Sequence, residues 1–237
     1  MDVPREKGPR ELIRDKLYAK FQEILAQVET YPIENESKKG ETQVTLRRKE
    51  DGVFPESGGD LVVFERRDMG VTPEQLISHY RKVQNLVKDS GVFSLKAYIG
   101  EEPYGDSSEL AETYVAIFKI PFVDARMMVN TKYWIPNESI VMISGLENEA
   151  VKETFIKDQN IVEGRDFVLA TVYLSAHKFM PIYDTKDPSR VIGTHTFWVD
   201  ESNLRIAMPR WMMKKQQPKG MTEGFEKMLE EIKSKQT

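Results

Sequence analysis

With 237 residues, 40% of them hydrophobic and 30% charged, the chain is long enough for one large domain with a substantial core. Its formal charge of −4 argues against general nucleic-acid binding, and the absence of cysteine excludes disulfides and thiolate metal sites. No run approaches the ~20 apolar residues of a membrane span, and the opening MDVPREKGPREL lacks the apolar core of a signal peptide, so a cytoplasmic protein is expected.

The first predicted element is a helix. Leu17, Phe21, Ile24, Leu25 and Val28 share one helical face, Pro9 suits its start, and Pro32 prevents continuation much past Thr30. Gln43 to Arg48 and Leu61 to Arg66 then read as two strands joined by a Gly/Pro/Ser loop. A second helix opens at Thr72-Pro73-Glu74-Gln75, where Thr72 can cap free amides, Pro73 takes the first helical position and Gln75 completes a capping box. Leu76, Tyr80, Val83 and Val87 form its apolar face.

Strand-like runs follow at Phe93 to Ile99, Thr113 to Ile120, Met127 to Ile135 and Ile140 to Ser144, all rich in β-branched and aromatic residues. A short helix is expected around Ala150 to Ile156. Two long strands, Phe167 to Tyr183 and Arg190 to Val199, flank a turn-rich linker. The chain closes on an amphipathic helix from about Thr222 to Lys235, with Met221, Phe225, Met228, Leu229 and Ile232 in one stripe that needs an apolar partner. Strands in one block with helices at its ends point to a single α+β domain around an antiparallel sheet.

A search for catalytic signatures is mostly negative. There is no phosphate-binding glycine loop, HExxH, GxSxG or calcium loop. The histidines are His79, His177 and His195. His79 reads as a surface residue, while His177 and His195 fall on strands and could meet across the sheet. The aromatic set Tyr114, Phe118, Tyr133, Trp134, Tyr173, Phe197 and Trp198 lies on predicted central strands. It reads either as ordinary core or as the lining of an internal cavity.

The C-terminal third resembles the START (StAR-related lipid transfer) family. The residues that carry this are Gly193-Thr194-His195-Thr196-Phe197-Trp198-Val199-Asp200, Met208-Pro209-Arg210-Trp211-Met212-Met213 and the terminal amphipathic helix. They match a strand ending in aspartate, a proline-led helix start and a long closing helix. Upstream, Pro121-Phe122-Val123-Asp124-Ala125-Arg126 looks like the family's proline-led loop, and Ser175 to Pro181 like its Ser-Gly strand. Met127 replaces the usual aspartate after Arg126, Leu169 stands where many members carry arginine, and Leu204 to Met208 lacks the family's glycine.

The resemblance implies a helix-grip fold, in which a curved antiparallel sheet of about nine strands wraps around the C-terminal helix and encloses a hydrophobic tunnel for one lipid. It implies no cofactor, no metal and no catalytic residue. The expected partners are a lipid ligand and, transiently, a membrane surface, with the protein peripheral there. Candidate lining residues are Tyr114, Arg126, Met128, Trp134, Met142, Tyr173, Phe197 and Trp198. Arg126 is expected to neutralise a head group or pair with a cavity carboxylate. The rings of Tyr114, Trp134, Tyr173 and Trp198 could surround a quaternary ammonium, which would favour phosphatidylcholine over a sterol. Phe122, Phe225, Met228, Leu229 and Ile232 form a candidate lid that opens at a membrane. The alternatives are a lipid-sensing interaction module and an enzyme on the same fold using His177 or His195 with a carboxylate.

Overall fold

The computed structural model describes residues 7–39, 42–81, 93–103, 110–119, 124–163, 166–205, 226, 228–230 and 232–234. Pro9 starts α1 (Pro9–Gln27), which buries Leu17, Phe21 and Ile24, and a 3-10 turn at Val28–Thr30 ends the segment with Val28 still buried. Three strands follow, β1 (Ile33–Lys39), β2 (Thr42–Lys49) and β3 (Leu61–Met69). The sequence of β1 is Ile-Glu-Asn-Glu-Ser-Lys-Lys, too polar to read as a strand beforehand. Its position at the edge of the sheet is where such a composition belongs.

Helix α2 (Pro73–Tyr80) has the capping box expected of it: Gln75 accepts from the Thr72 amide at 2.7 Å. Next come β4 (Phe93–Pro103), β5 (Leu110–Phe118), β6 (Arg126–Ile135) and β7 (Ile140–Ser144). Helix α3 (Glu149–Asp158) then precedes β8 (Val168–Leu169), β9 (Thr171–Tyr183) and β10 (Val191–Asn203). Residues 226, 228–230 and 232–234 are helical and fall within the stretch Thr222 to Lys235 expected to form the C-terminal helix.

All ten strands join one sheet in the order β1-β2-β3-β10-β9-β7-β6-β5-β4, with β8 beside β6. Every pairing is antiparallel except β6 with β8. Register shifts in the β1–β2, β4–β5 and β9–β10 pairs bend and twist the sheet locally. Gly193 lets β10 approach β3, because a Cβ there would lie 2.4 Å from the Asp68 carbonyl oxygen.

Both faces of the sheet are covered, so β5, β6 and β7 are buried along almost their whole length. The outer face carries α1, whose Leu17, Phe21 and Ile24 pack on Leu61, Val63, Met142, Ala176 and Val199. It also carries α3, packed on Val115, Ile117, Met127 and Val129. The inner face carries α2 and the described part of the C-terminal helix, where Leu76, Tyr80, Met228, Leu229 and Ile232 join Tyr114, Trp134, Val141 and Phe179.

Candidate functional site

Strand parity sorts the candidate residues between the two faces, since a residue and its cross-strand partner point the same way. One row on the inner face runs unbroken across β2, β3, β10, β9, β7 and β6 as Leu46, Phe64, Trp198, His177, Val141 and Trp134. Trp198 stacks on Phe64 at 5.4 Å and on His177 at 5.1 Å, one on each neighbouring strand. Tyr80 of α2 closes on the His177 ring at 4.7 Å. Burial pushes His177 down to about 3, so the ring is neutral at pH 7.

The adjacent inner row is polar. It runs Arg48, Val62, Asp200, Ser175, Ile143, Lys132 and Glu112. Lys132, 2% exposed, pairs with Glu112 directly opposite it and donates to the Arg81 carbonyl at the end of α2. A cation at a helix C-terminus is favourable, yet desolvation still lowers the lysine from its ordinary value. One row further, Tyr114 faces Asn130 and is hydrogen-bonded to its side chain, and burial raises the phenol. Glu112, Tyr114, Asn130 and Lys132 therefore form a polar square on two adjacent strands. Asn130 is 4% exposed, and its Oδ1 has no hydrogen-bond partner among the described residues.

Asp200 sits three strands from Lys132 in the same row. The Ser175 hydroxyl accepts from Trp198 Nε1 at 3.0 Å and hydrogen-bonds the Asp200 carboxylate, and Ser202 donates to that carboxylate at 3.2 Å. Desolvation pushes Asp200 up to about 6.

The sequence-predicted lining separates accordingly. Tyr114, Met128, Trp134 and Trp198 belong to the inner face, Met128 at its end with Ala170, Val172, Phe118 and Leu204. Met142, Tyr173 and Phe197 do not; they pack on the α1 side. For Met142 and Phe197 the cause is odd-against-even position along the strand, and for Tyr173 it is the register shift between Glu201 and Ser202 that lies opposite it. The four rings proposed around a quaternary ammonium are thus not brought together. Arg126 is buried at 4%, but its guanidinium donates to the carbonyls of Asp124, Leu204 and Arg205, joining the start of β6 to the end of β10. Among the described residues it meets backbone oxygens and no carboxylate.

Met228, Leu229 and Ile232 are buried on the inner face, while Phe122 and Phe225 lie outside the described residues. His79 is buried against Tyr80, not on the surface, because it faces in from α2. His177 and His195 do not meet. His195 lies on the outer face opposite Met180, 2.9 Å from Glu65. Glu112, Asn130, Lys132 and Ser175 escaped the sequence reading, although polar residues at alternate positions of strands buried on both faces were the available signal.

Two solved structures share this architecture over nearly the whole chain. Human StAR-related lipid transfer protein 5 superposes with a TM-score of 0.66 at 12% identity, over 95% of this chain and 97% of its own. Human STARD10 gives a TM-score of 0.57 at 13% identity, over 99% of this chain and 84% of its own. The chain has the fold of the START domains, an α+β fold built on one large antiparallel sheet. No family model matches the sequence, and no curated protein does.

Proposed function

We propose that the chain binds one lipid between the inner face of its sheet and the C-terminal helix, and carries it between membranes without catalysis. The observation that supports this best is the composition of that face, an apolar and aromatic field interrupted by the buried square Glu112, Tyr114, Asn130 and Lys132. Burying each acyl or sterol methylene is worth ~0.8 kcal/mol. Only an enclosed apolar space shields a long chain from water. One of the solved structures that shares the fold is named a lipid transfer protein, which favours the same reading.

The square favours a neutral head group that donates hydrogen bonds, such as an alcohol or an amide. Its single cation, Lys132, is already matched by Glu112, so a phosphate would enter without a free counter-charge. Asn130 Oδ1 is a buried acceptor that a ligand donor would satisfy. Phosphatidylcholine has no hydrogen-bond donor and cannot do so, which reverses the head-group preference that the aromatic residues alone suggested. The histidine–carboxylate pair that forms, His195 with Glu65, lies on the outer face, away from the proposed lipid site, which favours carriage over catalysis.

The carrier reading also assigns the C-terminal stripe the role of a lid. Met228, Leu229 and Ile232 would leave the sheet only where acyl chains can replace it.

The test is extraction from vesicles containing equal amounts of a sterol, a ceramide, a diacylglycerol and phosphatidylcholine. The protein is expected to take up a donor-bearing lipid in one-to-one ratio. Asn130→Leu should weaken that uptake roughly tenfold, the scale of one buried hydrogen bond. Preferential uptake of phosphatidylcholine would contradict the head-group assignment, and uptake of no lipid would contradict the function.

A further inference from the structure

Asp200 is a partly buried carboxylate that nothing in the square explains. It lies on the inner face of β10, partly accessible, in the same cross-strand row as Ser175. Among the described residues its partners are the hydroxyls of Ser175 and Ser202, and neither a cation nor a backbone amide pairs with it. A carboxylate offers about four acceptor positions, so two hydroxyls leave it under-satisfied. Contrast Glu201, next in sequence on the outer face, which accepts from Val53 N, Phe54 N and Ser57 Oγ.

The location gives this carboxylate a geometric relation to the square. Asp200 and Lys132 belong to one cross-strand row, separated by Ser175 and Ile143. Three strand spacings of ~4.8 Å put them roughly 14 Å apart along the sheet. Beyond Ser175 the surface toward Lys132 is apolar, with Ile143, Val141 and Trp134 facing inward. Two hydrogen-bonding sites at opposite ends of an apolar strip match a molecule that is polar at both ends and greasy in the middle.

We propose that Asp200, with Ser175, is a second ligand anchor, and that the preferred lipid is an elongated alcohol carrying a second hydroxyl at its far end. One hydroxyl donates to Asn130 in the square and the other to the Asp200 carboxylate. This rests on the proposed lipid-carrier function and specifies which lipid the same face selects. An anionic far end, such as a carboxylic acid, is disfavoured because it would meet Asp200 without a cation between them.

The experiment compares two matched ligand pairs: a sterol with and without a hydroxyl at the end of its side chain, and a long-chain alcohol with its α,ω-diol. Binding is measured by competition against a fluorescent lipid for the wild type and Asp200→Leu. Removing an under-satisfied, partly buried carboxylate should leave the variant at least as stable as the wild type, which its melting temperature checks. The wild type is expected to bind the two-ended member of at least one pair roughly ten- to a hundredfold more tightly, the range for a hydrogen bond to a charged acceptor. Asp200→Leu should bind both members of that pair equally, at the affinity the wild type has for the one-ended member. Equal affinities in the wild type, or a preference that survives in Asp200→Leu, would overturn the second anchor while leaving lipid binding intact. Failure of all four ligands to bind would overturn the donor-bearing lipid reading itself, and this inference with it.

Discussion

Two residues on the inner face hold their uncharged forms more strongly in the fold than in the open chain, with opposite consequences for pH. His177 falls from 6.5 to about 3. Between those values the unfolded chain binds a proton that the fold does not, so stability is lost as pH falls through that window. Asp200 rises from 3.8 to about 6, so the fold holds a proton there that the unfolded chain has released, and stability is lost as pH rises from about 4 to 6. At ~1.4 kcal/mol per pH unit, the two limbs amount to roughly 5 and 3 kcal/mol and oppose each other where they overlap. Wild-type stability should therefore change little between pH 6 and 4 on account of this pair, then fall. Asp200→Asn is expected to raise stability by roughly 3 kcal/mol at pH 7 and to expose a steep loss on acidification from pH 6. His177→Phe should remove the acid limb. Urea unfolding across pH 3 to 8 checks both, and parallel profiles for the wild type and Asp200→Asn would refute the assignment.

Single polar groups fasten whole elements in this protein. Glu201, fully buried on the outer face of β10, accepts from Val53 N at 2.7 Å, Phe54 N at 3.0 Å and Ser57 Oγ at 2.5 Å, pinning the β2–β3 loop. Gly52 in that loop has φ +61°, and a Cβ there would lie 2.2 Å from Glu201 Oε1. Glu201→Ala strands three donors and should cost ~3 kcal/mol or more by chemical denaturation. Gly52→Ala should cost a comparable amount through strain and clash together. Arg126 does the same work between the start of β6 and the end of β10 by donating to three carbonyls. Arg126→Ala should lower the melting temperature by several degrees, whereas a role confined to a head group would leave the lipid-free protein unchanged.

The elements themselves were largely legible in sequence, since helical periodicity and the Thr72-Pro73 cap marked α1 and α2, and β-branched runs marked most strands. Strand β1 was not, because an edge strand needs no apolar face. Nor could composition decide which aromatic rings face inward. Tyr173 and Phe197 look like Trp198 in sequence but lie on the other side of the sheet, through one register shift and one step of parity.

At the scale of the whole molecule, one sheet separates two environments. Its outer face is closed by α1 and α3 over an ordinary core, and its inner face combines an aromatic row with a row holding Asp200, Ser175, Lys132 and Glu112. Buried charged groups cost stability unless they are paired or hydrogen-bonded, as Lys132 is by Glu112 on the inner face and Glu201 by the β2–β3 loop on the outer face. Among the described residues no helix is long and apolar enough to cross a membrane. A crosslink between the C-terminal helix and the inner face should slow vesicle-to-vesicle transfer at least tenfold if the helix acts as a lid; undiminished transfer would show that the lipid enters elsewhere.

The most direct test of the central claim is native mass spectrometry of the protein recovered from mixed vesicles. The account predicts a single added mass per chain, corresponding to one neutral lipid that carries a hydroxyl or amide donor. A spectrum showing only the bare chain, or the chain with phosphatidylcholine alone, would contradict it.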